Sequence, residues 1–404
     1  MRIGPGRVSR CGTGSAAALL LACVLPGALR AQAPAGTFMN IGFVGIVDAG
    51  WSSEPDVASL QLGDHDPRKR GFTVPNAELT LDAAVDPFFR GFASIVYKLD
   101  EEGESVVELE EAYFLTTSLP WSLQIKGGQF FTEFGRQNPQ HPHSWAFVDQ
   151  PLVLGTLLGG EGLRSQGVRL SWLAPTSFYT EAMVALLNST GETTFSFNSE
   201  ESTEIHGGFA GEGEIEDASD LLVVPRLAVS LDLTPNQTIV VGASGAFGPN
   251  NSGPDADTQV LGADVYWKWK SATAFQGFPF VSFQSEALTR RYDAAERFLA
   301  DDPAVALPAE TLEDRGGYAE LLWGVEPRWV VGARGELVRA EEAAFESELR
   351  SDRFRISPSV TWYPSEYSKL RMQYNFDHRN DIGNDHSLWF QIEIIMGAHA
   401  AHVF

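Results

Sequence analysis

What most constrains this chain is a side-chain alternation of period two that recurs in segment after segment. Ala77-Glu78-Leu79-Thr80-Leu81-Asp82-Ala83 and Gln166-Gly167-Val168-Arg169-Leu170-Ser171-Trp172 each carry one apolar and one polar parity. The same holds for Arg355-Ile356-Ser357-Pro358-Ser359-Val360-Thr361-Trp362 and Lys369-Leu370-Arg371-Met372-Gln373-Tyr374-Asn375-Phe376. Successive side chains of a strand point to opposite faces, so this pattern predicts strands with two chemically different sides. Sixteen such segments are expected, near 40–49, 74–85, 88–99, 105–116, 121–130, 166–173, 178–187, 221–233, 238–247, 258–270, 278–289, 316–323, 329–338, 353–362, 368–377 and 386–397.

The connections decide what the strands build. Short ones carry turn chemistry, as in Asp86-Pro87, Ser118-Leu119-Pro120, Ala174-Pro175-Thr176, Thr234-Pro235-Asn236-Gln237, Val325-Glu326-Pro327 and Tyr363-Pro364-Ser365. Proline presets turn dihedrals and cannot donate to a sheet. Between them lie long polar connections near 50–73, 131–165, 188–220, 248–257, 290–315 and 339–352, with shorter ones at 100–104 and 378–385. A soluble β-sandwich has no reason to alternate short and long connections in this way. An all-β, transmembrane up-and-down antiparallel barrel of about 16 strands does, with short periplasmic turns at one rim and long extracellular loops at the other. Closure is forced, because a lipid-exposed sheet edge leaves backbone groups unbonded. Aromatics near segment ends, Phe88, Phe89, Tyr97, Tyr113, Trp121, Trp172, Phe178, Trp267, Trp269, Phe278, Trp323, Trp329, Trp362, Tyr363 and Tyr367, are expected to form interfacial girdles.

Composition narrows the functions. Hydrophobic residues make up 44% and aromatics 11%, too much for wholesale disorder. The formal net charge of −24 argues against nucleic acid as a partner, since phosphate binding needs clustered Lys and Arg. Downstream of the first thirty residues, no apolar run approaches the ~18 residues of a membrane-spanning helix.

Residues 1–33 read as a signal peptide. Arg2, Arg7 and Arg10 precede the apolar run 16–25, and Ala31-Gln32-Ala33 fits a small-x-small cleavage site. Leu20-Leu21-Ala22-Cys23 leaves lipoprotein processing open as the alternative. Removal of 1–33 takes both cysteines and four arginines, leaving 25 basic against 53 acidic residues in the domain 34–404, a net charge of −28. A cysteine-free exported chain relies on hydrogen bonding and packing.

The final segment Leu388-Trp389-Phe390-Gln391-Ile392-Glu393-Ile394-Ile395-Met396 leads to Phe404, although His402 stands where a further apolar residue is usual. An aromatic C-terminus on an amphipathic last strand resembles the assembly signal of bacterial outer-membrane proteins. Gly127-Gly128-Gln129-Phe130-Phe131-Thr132-Glu133-Phe134-Gly135 is similar to a segment of the phosphate-selective porin O and P family, with Glu133 where that family often has proline. The resemblance implies a bacterial outer-membrane porin, partners in the outer-membrane lipid, lipopolysaccharide and barrel-assembly machinery (through the last strand and Phe404), and a homotrimer. It also implies that the third long connection, 131–165, folds inward as a constriction. Glu133, Arg136, Asp149, Glu161 and Arg164 are then its candidate charges, with His141 and His143 as further ionisable groups.

Lysine or arginine facing lipid at the midplane costs about 2–4 kcal/mol, so the polar parity must line the lumen. The pore-lining candidates are Arg90, Lys98, Lys126, Arg169, Arg226, Lys268, Arg334, Arg355, Arg371, Glu108, Glu110 and Asp264. Arg353, Lys369, Glu78, Asp82, Asp232, Glu286, Glu336, Asp377 and Glu393 share that parity, which makes the wall nearly neutral. The acidic excess lies in the loops; 188–220 has nine carboxylates and no Lys or Arg. Such a loop is a solvated surface or a negative vestibule, and its oxygens suit Ca²⁺ or Mg²⁺ bridges to lipopolysaccharide.

The expected function is passive diffusion of ions and small hydrophilic solutes, with phosphate or another anion as a subsidiary expectation. No cofactor, resident metal or enzymatic activity is expected. His141-Pro142-His143 lacks a clear third ligand, and Ser144 beside these histidines lacks an evident partner acid for a hydrolase. The alternative is a structural barrel whose lumen is plugged by salt bridges.

Overall fold

The structure, a computed structural model, describes residues 39–100, 103–209 and 213–397; the expected signal peptide, His402 and Phe404 lie outside them. Eighteen strands follow in chain order: β1 (Asn40–Ser52), β2 (Gly71–Ala84), β3 (Phe89–Leu99), β4 (Ser105–Thr116), β5 (Leu123–Phe131), β6 (Arg164–Leu173), β7 (Tyr179–Asn188), β8 (Leu221–Thr234), β9 (Gln237–Pro249), β10 (Asp257–Phe275), β11 (Phe278–Ala294), β12 (Arg297–Phe298), β13 (Ala306–Leu307), β14 (Glu310–Glu326), β15 (Trp329–Ala340), β16 (Arg353–Ser365), β17 (Ser368–Arg379) and β18 (Gly383–Gly397). β12 and β13 pair only with each other, and the other sixteen form one closed antiparallel barrel. Closure is the β1–β18 ladder, from Gly42 opposite Gly397 to Ser52 opposite Ser387.

All sixteen segments read from the sequence are barrel strands. β11 and β14 run further than expected, because their pairing continues past the barrel rim as far as Ala294 opposite Glu310. On the turn side, Gln276 and Gly277 connect β10 to β11 with φ of 50° and 88°, the left-handed pair that suits a two-residue hairpin.

The faces are inverted relative to a water-soluble protein. In β18, Leu388, Phe390, Ile392, Ile394 and Met396 are exposed while Asp385, Ser387, Gln391 and Glu393 are buried. The apolar parity therefore forms the outer band that contacts lipid and the polar parity faces inward, as in an outer-membrane barrel. Phe88, Trp121, Trp172, Phe178, Trp323, Trp329, Trp362 and Tyr367 stand exposed near the turn-side rim. Three expected girdle residues point the other way. Glu110 and Glu111 are both buried beside a register shift between β3 and β4, and Tyr113 consequently faces the interior. Phe278 and Tyr363 share parity with their buried strand neighbours and pack with Phe280, Val330 and Leu322 inside the barrel.

Candidate functional site

Among the described residues, two connections fold into the interior of the barrel. The first is 132–163, which follows β5. Its entry depends on glycine: at Gly128 (φ 136°) a Cβ would lie 2.2 Å from the Ala112 carbonyl oxygen, and at Gly135 (φ 60°) it would lie 2.0 Å from Glu286 Oε2. Backbone blocks any side chain at Gly128, and the left-handed φ of Gly135 disfavours one there, which gives the glycine-rich entry segment its physical reason. The Gly135 N–H donates to Ser244 Oγ on β9 (3.0 Å), and the Arg136 and Gln137 N–H groups donate to the Glu286 carboxylate on β11 (3.2 and 2.7 Å). The Arg136 guanidinium donates to Gln284 and stacks 3.9 Å over the Tyr266 ring.

From there the connection crosses to the opposite wall. Lys369 on β17 donates to the His143 carbonyl (2.9 Å), and Arg371 donates to the carbonyls of Trp145 and Phe147, each at 2.8 Å. Asp149 then enters a nest of four donors: Arg334 (2.5 Å), Gln373 (2.8 Å), Asn375 (2.9 Å) and Arg355 (3.0 Å), from β15, β17 and β16. Burial pushes the Asp149 carboxyl up, but Arg334 and Arg355 outweigh it and hold the group below the usual carboxylate range. Removing Asp149 would take one counter-charge from each of two buried guanidinium groups.

The return leg has the opposite character. Helix α1 (Leu152–Leu158) is buried along its whole length. It packs with Phe134, Leu163 and Phe197 against Ala185, Leu187, Leu222, Val224, Ala246, Val260, Leu288, Tyr318 and Val338, which face inward from β7 to β15. An apolar core thus fills one side of the lumen. Its loop-side cover is part of 189–220, where the short helix α2 (Thr203–His206) ends in His206. Burial first, then Arg297, lowers the His206 pKa to about 4.

The second inward connection is 53–70. The carbonyl of Leu60 accepts from Arg353 (2.6 Å) and Arg355 (2.8 Å), and Gln61 accepts from Arg355 (3.0 Å). Asp66 accepts from the N–H groups of Gly63 (2.8 Å) and Gln150 (2.7 Å), which ties the two connections together. His65 lies on the inner wall beside Glu110 and Glu161. Nearby, His141 Nδ1 is 3.3 Å from Glu78 and 2.9 Å from Glu110, and His143 Nδ1 is 3.1 Å from Glu78. Burial lowers the His65 pKa, but Glu161 and Glu110 overcome it and raise it to about 10.

Most of the expected site residues pair with one another or with these connections. Lys98 pairs with Glu161, Asp64 and Glu108, and Arg164 with Glu108. Lys126 and Arg169 both pair with Glu133, Arg226 grips Asp264 (2.7 and 3.0 Å), and Arg334 also holds Glu336 (2.8 Å). Arg355 holds Asp377 as well as Asp149. Arg90 pairs with Asp82 at the turn-side rim and is exposed, and the Lys268 ammonium lies 5.1 Å over the Phe280 ring. Most of these charges are therefore spent on each other and on the inward connections rather than presented to a water column. The histidine pair, which lacked a third ligand in the sequence, has Glu78 and Glu110 supplied by β2 and β4. Ser144 is exposed, and the imidazoles beside it face carboxylates. The inward fold of 53–70 was not anticipated, although Val57, Leu60 and Leu62 are apolar in an otherwise polar connection.

No family model matches the chain. An "uncharacterized protein" of Aquifex aeolicus (strain VF5) is 32% identical over 359 residues, covering 83% of this chain and 71% of that one. Among solved structures, the anion-selective porin from Comamonas acidovorans superposes with a TM-score of 0.55 at 8% identity, over 89% of this chain and 99% of that one. The outer-membrane protein OmpT of Vibrio cholerae, in its trimer form, gives 0.52 at 10% identity, over 89% and 99%. The outer membrane channel DcaP of Acinetobacter baumannii gives 0.51 at 12% identity, over 89% and 97%. These likenesses are of fold: a porin-like barrel of the bacterial outer membrane. By its sequence identity and coverage, the chain belongs to the same family as the Aquifex aeolicus protein.

Proposed function

We propose that this protein is an outer-membrane porin, a passive channel for ions and small hydrophilic solutes, whose passage is set by the connections 53–70 and 132–163. The observation that carries this reading is the closed sixteen-strand barrel, a size that leaves room for an aqueous channel, with a third long connection anchored across its lumen. The reading favours cations. Loop-side openings are lined by Asp64, Glu192, Glu200, Glu201, Glu204 and Glu348 with Arg68 and Arg379, and a further one by Asp56 with Arg68, Lys69 and Arg70, so that carboxylates outnumber cations. Carboxylates at a mouth concentrate cations within about a Debye length, ~8 Å at physiological salt.

Phosphate or general anion selectivity is the finer alternative, and it would rest on Arg136, Lys268 and Arg371, whose side-chain hydrogen bonds and ring contacts among the described residues are with neutral groups, and on Arg90 at the turn-side rim. A plugged, non-conducting barrel is favoured by one observation, the complete burial of α1. A hydrolase has no support from Ser144, and catalysis is no part of the proposal. A homotrimer, contacts with lipopolysaccharide and recognition by the assembly machinery complete it; the trimer form of OmpT supports the first.

Conductance and reversal potential of the refolded protein in a planar bilayer under a KCl gradient test this reading. Discrete steps with a cation-selective potential are expected. An anion-selective potential would favour the anion alternative, and a silent, correctly folded barrel would favour the plug.

A further inference from the structure

Three side chains from three separate elements converge on one point of the inner wall: His65 from 53–70, Glu110 from β4 and Glu161 from 132–163. His65 Nδ1 lies 2.9 Å from the Pro75 carbonyl oxygen. A carbonyl only accepts, so Nδ1 carries its hydrogen and Nε2 is the nitrogen turned toward the acids. Nε2 is 3.3 Å from Glu110 Oε1 and 3.6 Å from Glu161 Oε2. All three atoms are buried and none has a hydrogen-bond partner. The Arg164 guanidinium stands 3.6 Å from the same Glu161 oxygen, and without a metal the cluster is balanced only by a second proton on Nε2; three such buried groups left unbonded are costly.

From these contacts we propose that His65 Nε2, Glu110 Oε1 and Glu161 Oε2 bind one divalent transition-metal cation of the Zn²⁺ type. Imidazole nitrogen and carboxylate oxygen are the donors such an ion takes at about 2.0–2.2 Å, and tetrahedral bonds of that length separate donor atoms by roughly 3.3–3.5 Å. The two separations from Nε2, 3.3 and 3.6 Å, bracket that value, and all three donor atoms lie within 4.8 Å of one another. The Nδ1–H bond to a carbonyl is the outer contact that orients most metal-binding histidines. A fourth position is provided by an adjoining cavity of about 20 Å³, lined by Gln137, Asn138, Gln140 and Gln150 with the three ligands, large enough for about one water.

Charge points the same way. Asp64, Glu78, Glu108, Glu110, Glu111 and Glu161 crowd this wall, and the lysines and arginine paired with them are Lys98, Lys126 and Arg164. His65, His141 and His143 face the same carboxylates and answer part of that excess when protonated; a divalent ion serves three donor atoms at once, where a single proton on Nε2 serves one. Glu110 also reaches His141 through its other oxygen (2.9 Å), so the ion's ligand is itself held in place. Because the ligands come from both inward connections and a wall strand, the ion would pin the loops to the barrel. The inference is independent of whether the barrel conducts.

The test uses the full chain folded in detergent, stripped with a chelator and titrated with Zn²⁺ and with Co²⁺ as a spectroscopic substitute. One tight equivalent per chain is expected, with the visible bands of a low-symmetry four-coordinate Co²⁺ site. The isosteric Glu161→Gln and the variant His65→Gln should weaken binding by at least about 100-fold, while His386→Ala, on the outer face, binds as the wild type does. Folding of each variant is checked by its heat-dependent electrophoretic mobility. Wild-type protein that takes up no stoichiometric metal would overturn the proposal. So would uptake with an unchanged spectrum in folded His65→Gln and Glu161→Gln, which would place the ion elsewhere.

Discussion

The two sides of the lumen solve the same problem with opposite chemistry. From β15 through β18 and on to β4, the wall presents Arg334, Arg355, Arg371, Glu78 and Glu110, and the connections answer with Asp149, His65, His141 and carbonyl groups. From β7 to β14 the wall presents Leu187, Leu222, Val224, Val260 and Leu288, and α1 answers with leucines. A single connection, 132–163, serves both: its first half is held by directional bonds and its second by close packing. Directional bonds fix where the chain lies, because each donor needs its own acceptor. Packing tolerates small shape changes so long as volume is kept. The comparison implies that the charged side determines register and the apolar side contributes bulk.

The largest effect is expected on the charged side. Asp149→Ala leaves Arg334 and Arg355 without a shared counter-charge and should destabilise the inward loop by about 3–5 kcal/mol, read as protease cleavage within 132–163 in an otherwise intact barrel. On the apolar side, Leu154→Ala should cost about 2–4 kcal/mol in the same assay, as a buried leucine truncated in a packed core. The conservative pair sharpens the contrast: Leu154→Met should cost less than about 1.5 kcal/mol, whereas the equally isosteric Asp149→Asn should cost clearly more. Equal costs for the two would erase the distinction between the sides.

A smaller effect follows from pH. His206 Nδ1 accepts the Gly208 N–H (3.1 Å), and Arg297 donates to the His206 carbonyl. The neutral ring is therefore the one that fits, and its pKa falls from the ordinary 6.5 to about 4 through burial and Arg297. A depressed pKa means that the stabilisation is complete above 6.5 and is lost as pH falls toward 4. Hydrogen exchange at the Gly208 amide should accelerate across that window, and His206→Gln should flatten the profile. The smallest effect belongs to the rim: Arg90→Ala breaks an exposed pair with Asp82 and should change stability by no more than about 1 kcal/mol.

The barrel was legible because period-two alternation is a local property, and each strand states its two faces within ten residues. Parity alone would also have turned Phe278 and Tyr363 inward, since Ser282, Gln284, Ser359 and Thr361 on the same parities are polar and buried. Tyr113 was not legible in this way, because the irregularity at Glu110 and Glu111 resets the parity of β4. What the loops do could not be read at all from spacing. Asp149 and Arg355 are 206 residues apart, and His65 meets Glu161 only because two connections fold into the same barrel. The run Leu152-Val153-Leu154 announces burial but not the surface that buries it.

In the proposed channel, 132–163 governs passage through the barrel. Single-channel conductance of wild type and Asp149→Ala, recorded side by side in the same bilayer, tests it most directly. Small cation-selective steps are expected for the wild type and larger steps, with more frequent transitions, once the loop loses its anchor. Identical conductance and selectivity in the two proteins, with the loop shown by proteolysis to be released in the variant, would contradict it.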